Sequence, residues 1–380
     1  MQLNLVATCA LGLEAVIARE LQRLNVDNIK SHNGYVSFTG DAGALCRANI
    51  WLRSADRVWL CLSEFACETF EELFQGVKRL PWPLLLPREA CFPVDALTHN
   101  SRLTSLPAVQ RTAKKAVVEV MQSHYHLREL PETGALFPIR LFLVNDVCRV
   151  MLDTSGSGLH KRGYRTLNAA APLRETLAAA LLQLSYWNKD RLLLDPFCGS
   201  GTIPIEAAFI GLNRAPGLKR SFCSERWPFV KPGVWREARE EAEDLFDRRS
   251  RLQIIGRDID GQVLKLAQFH LRQADLPENA VVFQREDVRG LRSRRQYGVI
   301  VTNPPYGERV MEREEAEEIY AVMGEVFAPL KTWSVYAISS NPDFEYFYGR
   351  KAERRRKVYN GMMQCTYYQY PGPKPPASQS

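Results

Sequence analysis

Hydrophobic and polar positions change rhythm twice along this 380-residue chain. Leu3–Ala7 reads as a short apolar strand. It is followed by Leu13, Val16, Ile17, Leu21 and Leu24, which fall on one face of a helix. Strand and helix patterns continue in small units: Tyr35–Thr39 as strand, Asp41–Trp51 as helix, Val58–Phe65 as strand and Thr69–Leu80 as helix. The turn-rich stretch Pro81–Pro93 and a loop over Asn100–Leu106 precede a helix from Pro107 to Met121. Phe137–Val144 and Cys148–Asp153 alternate as the arms of a hairpin turning at Asn145-Asp146. This first part predicts an α+β module without a long parallel sheet.

The small residues Thr154–Leu159 break the pattern and predict a linker. A new rhythm begins near Pro172, which sits at the first position of a helix through Leu184. Strands at Arg191–Leu194, Gln253–Arg257, Val281–Gln284, Val299–Val301 and Ser334–Ser339 alternate with helices at Ile203–Gly211, Gln262–Ala274 and Glu312–Leu330. Apolar strands separated by helices predict an α/β domain, a doubly wound parallel sheet covered on both faces. Met363–Tyr370 reads as an edge or antiparallel strand. The span from Thr202 to Arg257 is too long for one crossover, so an insertion with a charged helix near Trp235–Arg249 is expected on one face. Residues 372–380 predict a disordered tail.

Composition changes this picture little. The net charge of +7 suits a polyanionic partner without proving one. Nine scattered cysteines contain no C-x-x-C, which disfavours a disulfide framework or a zinc site and fits a reducing, cytoplasmic setting. No apolar run approaches the ~18 residues of a membrane helix, and no metal is expected.

Four segments carry candidate chemistry, each at the end of an expected strand, where open α/β sheets bind ligands. The first is Asp195-Pro196-Phe197-Cys198-Gly199-Ser200-Gly201-Thr202. Its glycines allow a tight turn and a close backbone approach. The third glycine of a nicotinamide fingerprint is missing, and Asp195 would repel a pyrophosphate but pair with an ammonium. The second is Asp258-Ile259-Asp260, where a carboxylate can accept two ribose hydroxyls. Asp258 is the first choice; Asp260 can equally be the N-cap of the next helix. The third is Arg285-Glu286-Asp287, where an acid could accept a hydrogen bond from an adenine amine, with an ordinary loop acid as the plainer reading. The fourth is Asn303-Pro304-Pro305-Tyr306-Gly307-Glu308-Arg309. An amine conjugated to a ring is a poor nucleophile. The Asn303 side-chain oxygen and the Pro304 carbonyl can both accept its N–H bonds and aim it at an electrophile. The prolines fix the backbone, and Tyr306 offers a stacking surface for an extruded base.

Asp195-Pro-Phe-Cys-Gly-Ser-Gly-Thr and Asn303-Pro-Pro-Tyr-Gly-Glu-Arg resemble motifs I and IV of class I S-adenosylmethionine-dependent amino-methyltransferases. His160-Lys161-Arg162-Gly163-Tyr164-Arg165, Ala171-Pro-Leu-Arg-Glu-Thr-Leu and Lys357-Val-Tyr-Asn-Gly narrow the resemblance to THUMP-domain RNA methyltransferases, in particular bacterial enzymes that make N2-methylguanine in 23S rRNA. The amino-terminal match is looser, through Thr8-Cys9, Gly12-Leu13-Glu14, Ser101-Arg-Leu and Lys114-Lys115. The resemblance implies a Rossmann-like methyltransferase domain at 172–371, preceded by a ferredoxin-like lobe at 1–60, a THUMP domain at 61–154 and a linker at 155–171. It also implies that Asp195 to Thr202 hold the methionine part of S-adenosyl-L-methionine, Asp258 and Ile259 the ribose, and Asp287 and Val288 the adenine. Asn303, itself beside the cofactor, would hold the target base with Pro304, Pro305 and Tyr306. Lys114, Lys115, His160, Lys161, Arg162, Tyr164 and Arg165 would contact RNA. Further basic runs at Arg289–Arg295 and Arg350–Lys357 suit nucleic acid, although a solvated face is the commoner role of such runs. Rival readings are N6-adenine methylation of DNA or RNA, a nicotinamide oxidoreductase, and a non-catalytic RNA-binding assembly factor.

Overall fold

The computed structural model describes residues 2–167, 173–307 and 310–376. Pro172, Glu308, Arg309 and residues 377–380 of the expected tail lie outside the described residues. The described chain forms two compact units. One comprises residues 1–9, 17–159 and 220–241; the other comprises 10–16, 160–219 and 242–380.

The first unit is built on a seven-stranded sheet. Its strands are β1 (Leu3–Thr8), β2 (Asp27–His32), β3 (Tyr35–Gly40), β4 (Arg57–Ala66), β5 (Val94–His99), β6 (Ile139–Val144) and β7 (Val147–Asp153), in the order β2-β3-β1-β4-β7-β6-β5. All neighbours are antiparallel except β5 and β6. The arms of the expected hairpin pair as β6 and β7, with Asn145 and Asp146 both at positive φ in the turn. The helix Phe70–Lys78 starts at a capping box, where Thr69 accepts the Glu72 N–H and Glu72 accepts the Thr69 N–H.

Strands β2 and β5 escape the hydrophobic pattern. Five of the six residues of Asp27–His32 are exposed, because β2 is an edge strand and buries almost nothing. The expected insertion is also more than a surface appendage. Its segment 220–241 belongs to the first unit, where Trp227 is buried, stacks on Phe137 at 5.1 Å and donates its indole N–H to the Leu136 carbonyl at 2.9 Å.

The second unit carries β8 (Leu193–Asp195), β9 (Ile254–Asp258), β10 (Val282–Arg285), β11 (Val299–Thr302), β12 (Ser334–Ser339), β13 (Arg354–Asn360) and β14 (Met363–Tyr370), in the order β10-β9-β8-β11-β12-β14-β13. The first five are parallel; β14 runs antiparallel to β12, and β13 antiparallel to β14. Strands β8, β11 and β12 are wholly buried, as a sheet covered on both faces requires. The chain steps from β8 through β9 to β10 in one direction, then returns to β11 on the other flank of β8. That reversal opens a crevice at the carboxyl ends of β8 and β11.

Candidate active site

Strand β8 ends at Asp195 and β11 ends at Thr302, and the two strands are hydrogen-bonded neighbours paired at Leu194 and Ile300. The glycine-bearing and diproline loops therefore leave adjacent strands at the same edge. Their roots are joined directly: the Thr302 hydroxyl donates to Asp195 Oδ1 at 2.7 Å, and the Phe197 N–H donates to the same oxygen at 3.2 Å. Burial pushes the Asp195 carboxyl up to about 7, against the pull of these two donors. Thr302 was not singled out in the sequence. A threonine closing an apolar strand carries no motif, and its partner lies 107 residues away.

A second clamp spans β8 and β9. Asp258 Oδ2 accepts the Gly199 N–H at 2.9 Å, and its Oδ1 accepts the Asp260 N–H at 3.0 Å. The Cys198 N–H donates to the Arg257 carbonyl at 2.8 Å. Asp260 caps the helix Gly261–Gln273 by accepting the Gln262 N–H at 2.8 Å, so of its two possible roles it fills the N-cap. His270 on that helix is buried and donates Nδ1–H to the Ser200 carbonyl at 3.1 Å; burial holds its pKa below the ordinary value. It supports the glycine loop from beneath, a role invisible in the sequence.

The two loop glycines differ physically. Gly201 lies at φ +84°, and a Cβ there would come within 2.9 Å of Phe283 and 3.0 Å of Ala267, so the turn is packed. Gly199 lies at φ +50°, and a Cβ there would meet nothing within 4 Å. The open space beside Gly199, whose N–H is held by Asp258, with Ile259 59% exposed, suits a ligand that presses closely against backbone. Pro196, Cys198, Ser200 and Thr202 are buried, and Phe197 packs against the core. Beyond β10, Asp287 accepts the Arg289 N–H at 2.8 Å and pairs with its guanidinium at 3.2 Å, while Val288 is buried in the core.

In the diproline loop, the Tyr306 hydroxyl donates to Asn303 Oδ1 at 2.5 Å, and the Tyr320 hydroxyl donates to the Pro305 carbonyl at 2.6 Å. Pro304 is buried and Pro305 exposed. Asn303 thus carries an oriented acceptor oxygen one residue beyond the bond to Asp195.

The remaining expected residues are dispersed. Arg162 and Tyr164 are buried, and both bond Glu206 on the helix Thr202–Gly211, at 3.3 Å each. They differ from the surface role expected of them: a cation beside a tyrosine in a basic run also suits a buried ion pair, and Glu206 falls too far along the chain to reveal it. Arg165 pairs with Glu175 at 3.1 Å. His160 is half-buried and Lys161 exposed. Lys114 is held by Glu132 at 2.6 Å and sits 3.6 Å from the centre of the Phe92 ring, whereas Lys115 is largely exposed. Among the described residues, no group of three or more His, Cys, Asp or Glu is arranged to hold a metal, and no helix is long and apolar enough to cross a membrane.

Three family models match the chain in sequence: the RlmL ferredoxin-like domain over residues 4–59, the THUMP domain over 67–153, and the RMKL-like methyltransferase domain over 162–369. A Bacillus subtilis protein named "Putative RNA methyltransferase YpsC" is 45% identical over 369 residues, covering 97% of this chain and 95% of the relative. Two crystal structures match at TM-score 0.93. One, described as a predicted N6-adenine-specific DNA methylase from Listeria monocytogenes, is 45% identical over 98% of this chain and 97% of that one. The other, described as "SMU.472, a putative methyltransferase complexed with SAH", is 42% identical over 99% of each chain. The chain belongs to the RMKL-like methyltransferase family and carries that family's catalytic domain behind an RlmL-type ferredoxin-like lobe and a THUMP domain.

Proposed function

We propose that this protein is an RNA methyltransferase that moves a methyl group from S-adenosylmethionine to the exocyclic N2 amine of a guanine in 23S rRNA. One observation carries the reading: the loop with open space at Gly199 and the loop that begins at Asn303 leave adjacent strands at the same edge, tied by the Thr302–Asp195 bond. The THUMP match and the RNA methyltransferase relative support RNA as substrate, and the SAH-bound relative supports the cofactor. Guanine N2 and 23S rRNA rest on the resemblance of the catalytic motifs and of His160 to Arg165 to that subgroup.

When bound, the cofactor supplies a methyl group already activated by its sulfonium. Asp195 and the loop from Phe197 to Thr202 hold its amino-acid end, Asp258 its ribose, and Asp287 its adenine. Asn303 Oδ1 and the Pro304 carbonyl accept the two N–H bonds of the target amine, raising electron density on nitrogen and fixing its direction. The Tyr306 hydroxyl occupies one lone pair of Asn303 Oδ1, so the incoming amine takes the other or displaces it. The Tyr306 ring stacks on the extruded base.

Transfer of tritium from labelled cofactor tests the reading. Label is expected in rRNA and not in duplex DNA, and N2-methylguanine is expected to disappear from rRNA nucleosides of cells lacking the protein. The Asn303→Ala variant is expected to lose at least ~100-fold in kcat, the loss typical of a missing electrostatic stabiliser, while still binding S-adenosylhomocysteine. Undiminished transfer by that variant removes Asn303 from the mechanism. Loss of N6-methyladenine instead of N2-methylguanine replaces the target.

A further inference from the structure

We propose that the β13–β14 hairpin is an RNA-gripping finger whose tip residue, Met362, wedges into the strand beside the extruded base while Arg174 and Lys357 hold the flanking phosphates. The proposal rests on the RNA methyltransferase reading and names the surface that the substrate strand occupies next to the site.

The register places the tip. Strand β14 pairs with β12 so that Thr366 lies opposite Ser339, the carboxyl end of β12, and β13 pairs with β14 from Arg354 opposite Gln369 to Asn360 opposite Met363. The turn after Asn360 therefore projects from the same edge of the sheet as the two active-site loops. Cys365 fixes its position: its buried thiol lies 3.9 Å from the Tyr306 hydroxyl. Met362 lies in the turn just before β14 and three residues from Cys365, hence at most about 10 Å from it at ~3.3 Å per residue. That is the span of about three stacked bases at ~3.4 Å each.

The chemistry of the tip fits a nucleic acid strand. Met362 is 100% exposed at the turn, so its thioether side chain is open to a partner. Methionine is among the apolar side chains that insert between bases and compensate the unstacking of a flipped neighbour. Gly361 lies at φ +65°, and a Cβ on it would stand 4.0 Å from the Arg174 guanidinium, so a cation flanks the turn. Lys357, on β13, is exposed and lies 5.6 Å from the Tyr359 ring. Neither Arg174 nor Lys357 has an acidic side-chain partner among the described residues, unlike Arg355, which is paired with Glu345. Two uncommitted cations around an apolar tip match phosphates on either side of an inserted side chain.

The test uses the full chain, labelled cofactor, and rRNA stripped of protein from cells that lack the enzyme. Met362→Ala is expected to lower kcat/KM for rRNA roughly tenfold, equivalent to about 1.4 kcal/mol, with Met362→Leu close to wild type. Arg174→Gln and Lys357→Gln are each expected to flatten the dependence of log KM on log salt by about 0.7, the value for one single-strand phosphate contact. All four variants are expected to keep the wild-type affinity for S-adenosylhomocysteine, measured by calorimetry. An active wild type whose variants show unchanged rRNA kinetics and salt slopes overturns the finger alone. A wild type that labels no RNA overturns both the finger and the function it serves.

Discussion

Asp195 is the residue at which buried charge, cofactor loop and catalytic strand meet. An acid whose folded pKa stands near 7, above its unfolded value of ~3.9, holds its proton more tightly in the folded chain. Its contribution to stability is therefore complete below about pH 4 and is lost as pH rises through about 7. Asp195→Asn is expected to flatten the fall in Tm between about pH 4 and 7, a change that thermal unfolding at several pH values would reveal. If the ionised carboxylate receives the cofactor ammonium, affinity for S-adenosylhomocysteine rises as pH climbs through the same range. Thr302→Val removes the hydroxyl donor and should move that midpoint upward, and Thr302→Ser should restore it; an identical pH profile in the valine variant would leave Thr302 without a role. The loop glycines offer a paired contrast. Gly201→Ala forces a Cβ into Phe283 at a positive φ and should cost about 1–3 kcal/mol of stability. Gly199→Ala carries the strain of a positive φ but meets no protein atom, so it should cost less stability than Gly201→Ala and weaken cofactor binding as well.

Single elements decide which parts of this arrangement a linear pattern reveals. Strands β8, β11 and β12 are legible because burial on both faces demands unbroken apolar runs, and β8 and β11 bear chemistry at their ends. Strands β2 and β13 are not legible: both are sheet edges with mostly polar or charged exposed residues, held by backbone bonds to one neighbour. The basic run Arg354–Lys357 thus conceals a strand. The motif residues Asp195 and Asn303 could be found from the sequence, whereas Thr302 and His270 could not, because their partners are set by sheet order and helix packing rather than spacing. The helix Thr202–Gly211 shows the same limit through the buried Arg162–Glu206 pair. Removing one partner from such a pair strands the other charge at a cost of about 3–5 kcal/mol. Arg162→Met should therefore destabilise the chain by that order in urea, and the Arg162→Met/Glu206→Leu double variant should recover much of it.

At the scale of the whole molecule, the first unit is assembled from separated stretches of chain. Residues 220–241 lie within the stretch matched by the methyltransferase model yet complete the first unit, through Trp227 on Phe137 and through Ser224, whose hydroxyl donates to the Thr154 carbonyl at 2.8 Å. A fragment ending at residue 159 leaves the Phe137 face bare. It should unfold at lower urea than the same unit within the full chain, and binding of a hydrophobic dye would register the exposed surface. The threading also sets an order of events during synthesis. Domains commonly fold as they emerge, amino-terminal first. Here the leading unit has to wait for a stretch encoded more than sixty residues after its own last strand, with β8 and the glycine loop made in between. The two halves of the protein are obliged to mature together, and a nascent chain halted before residue 241 has neither half finished.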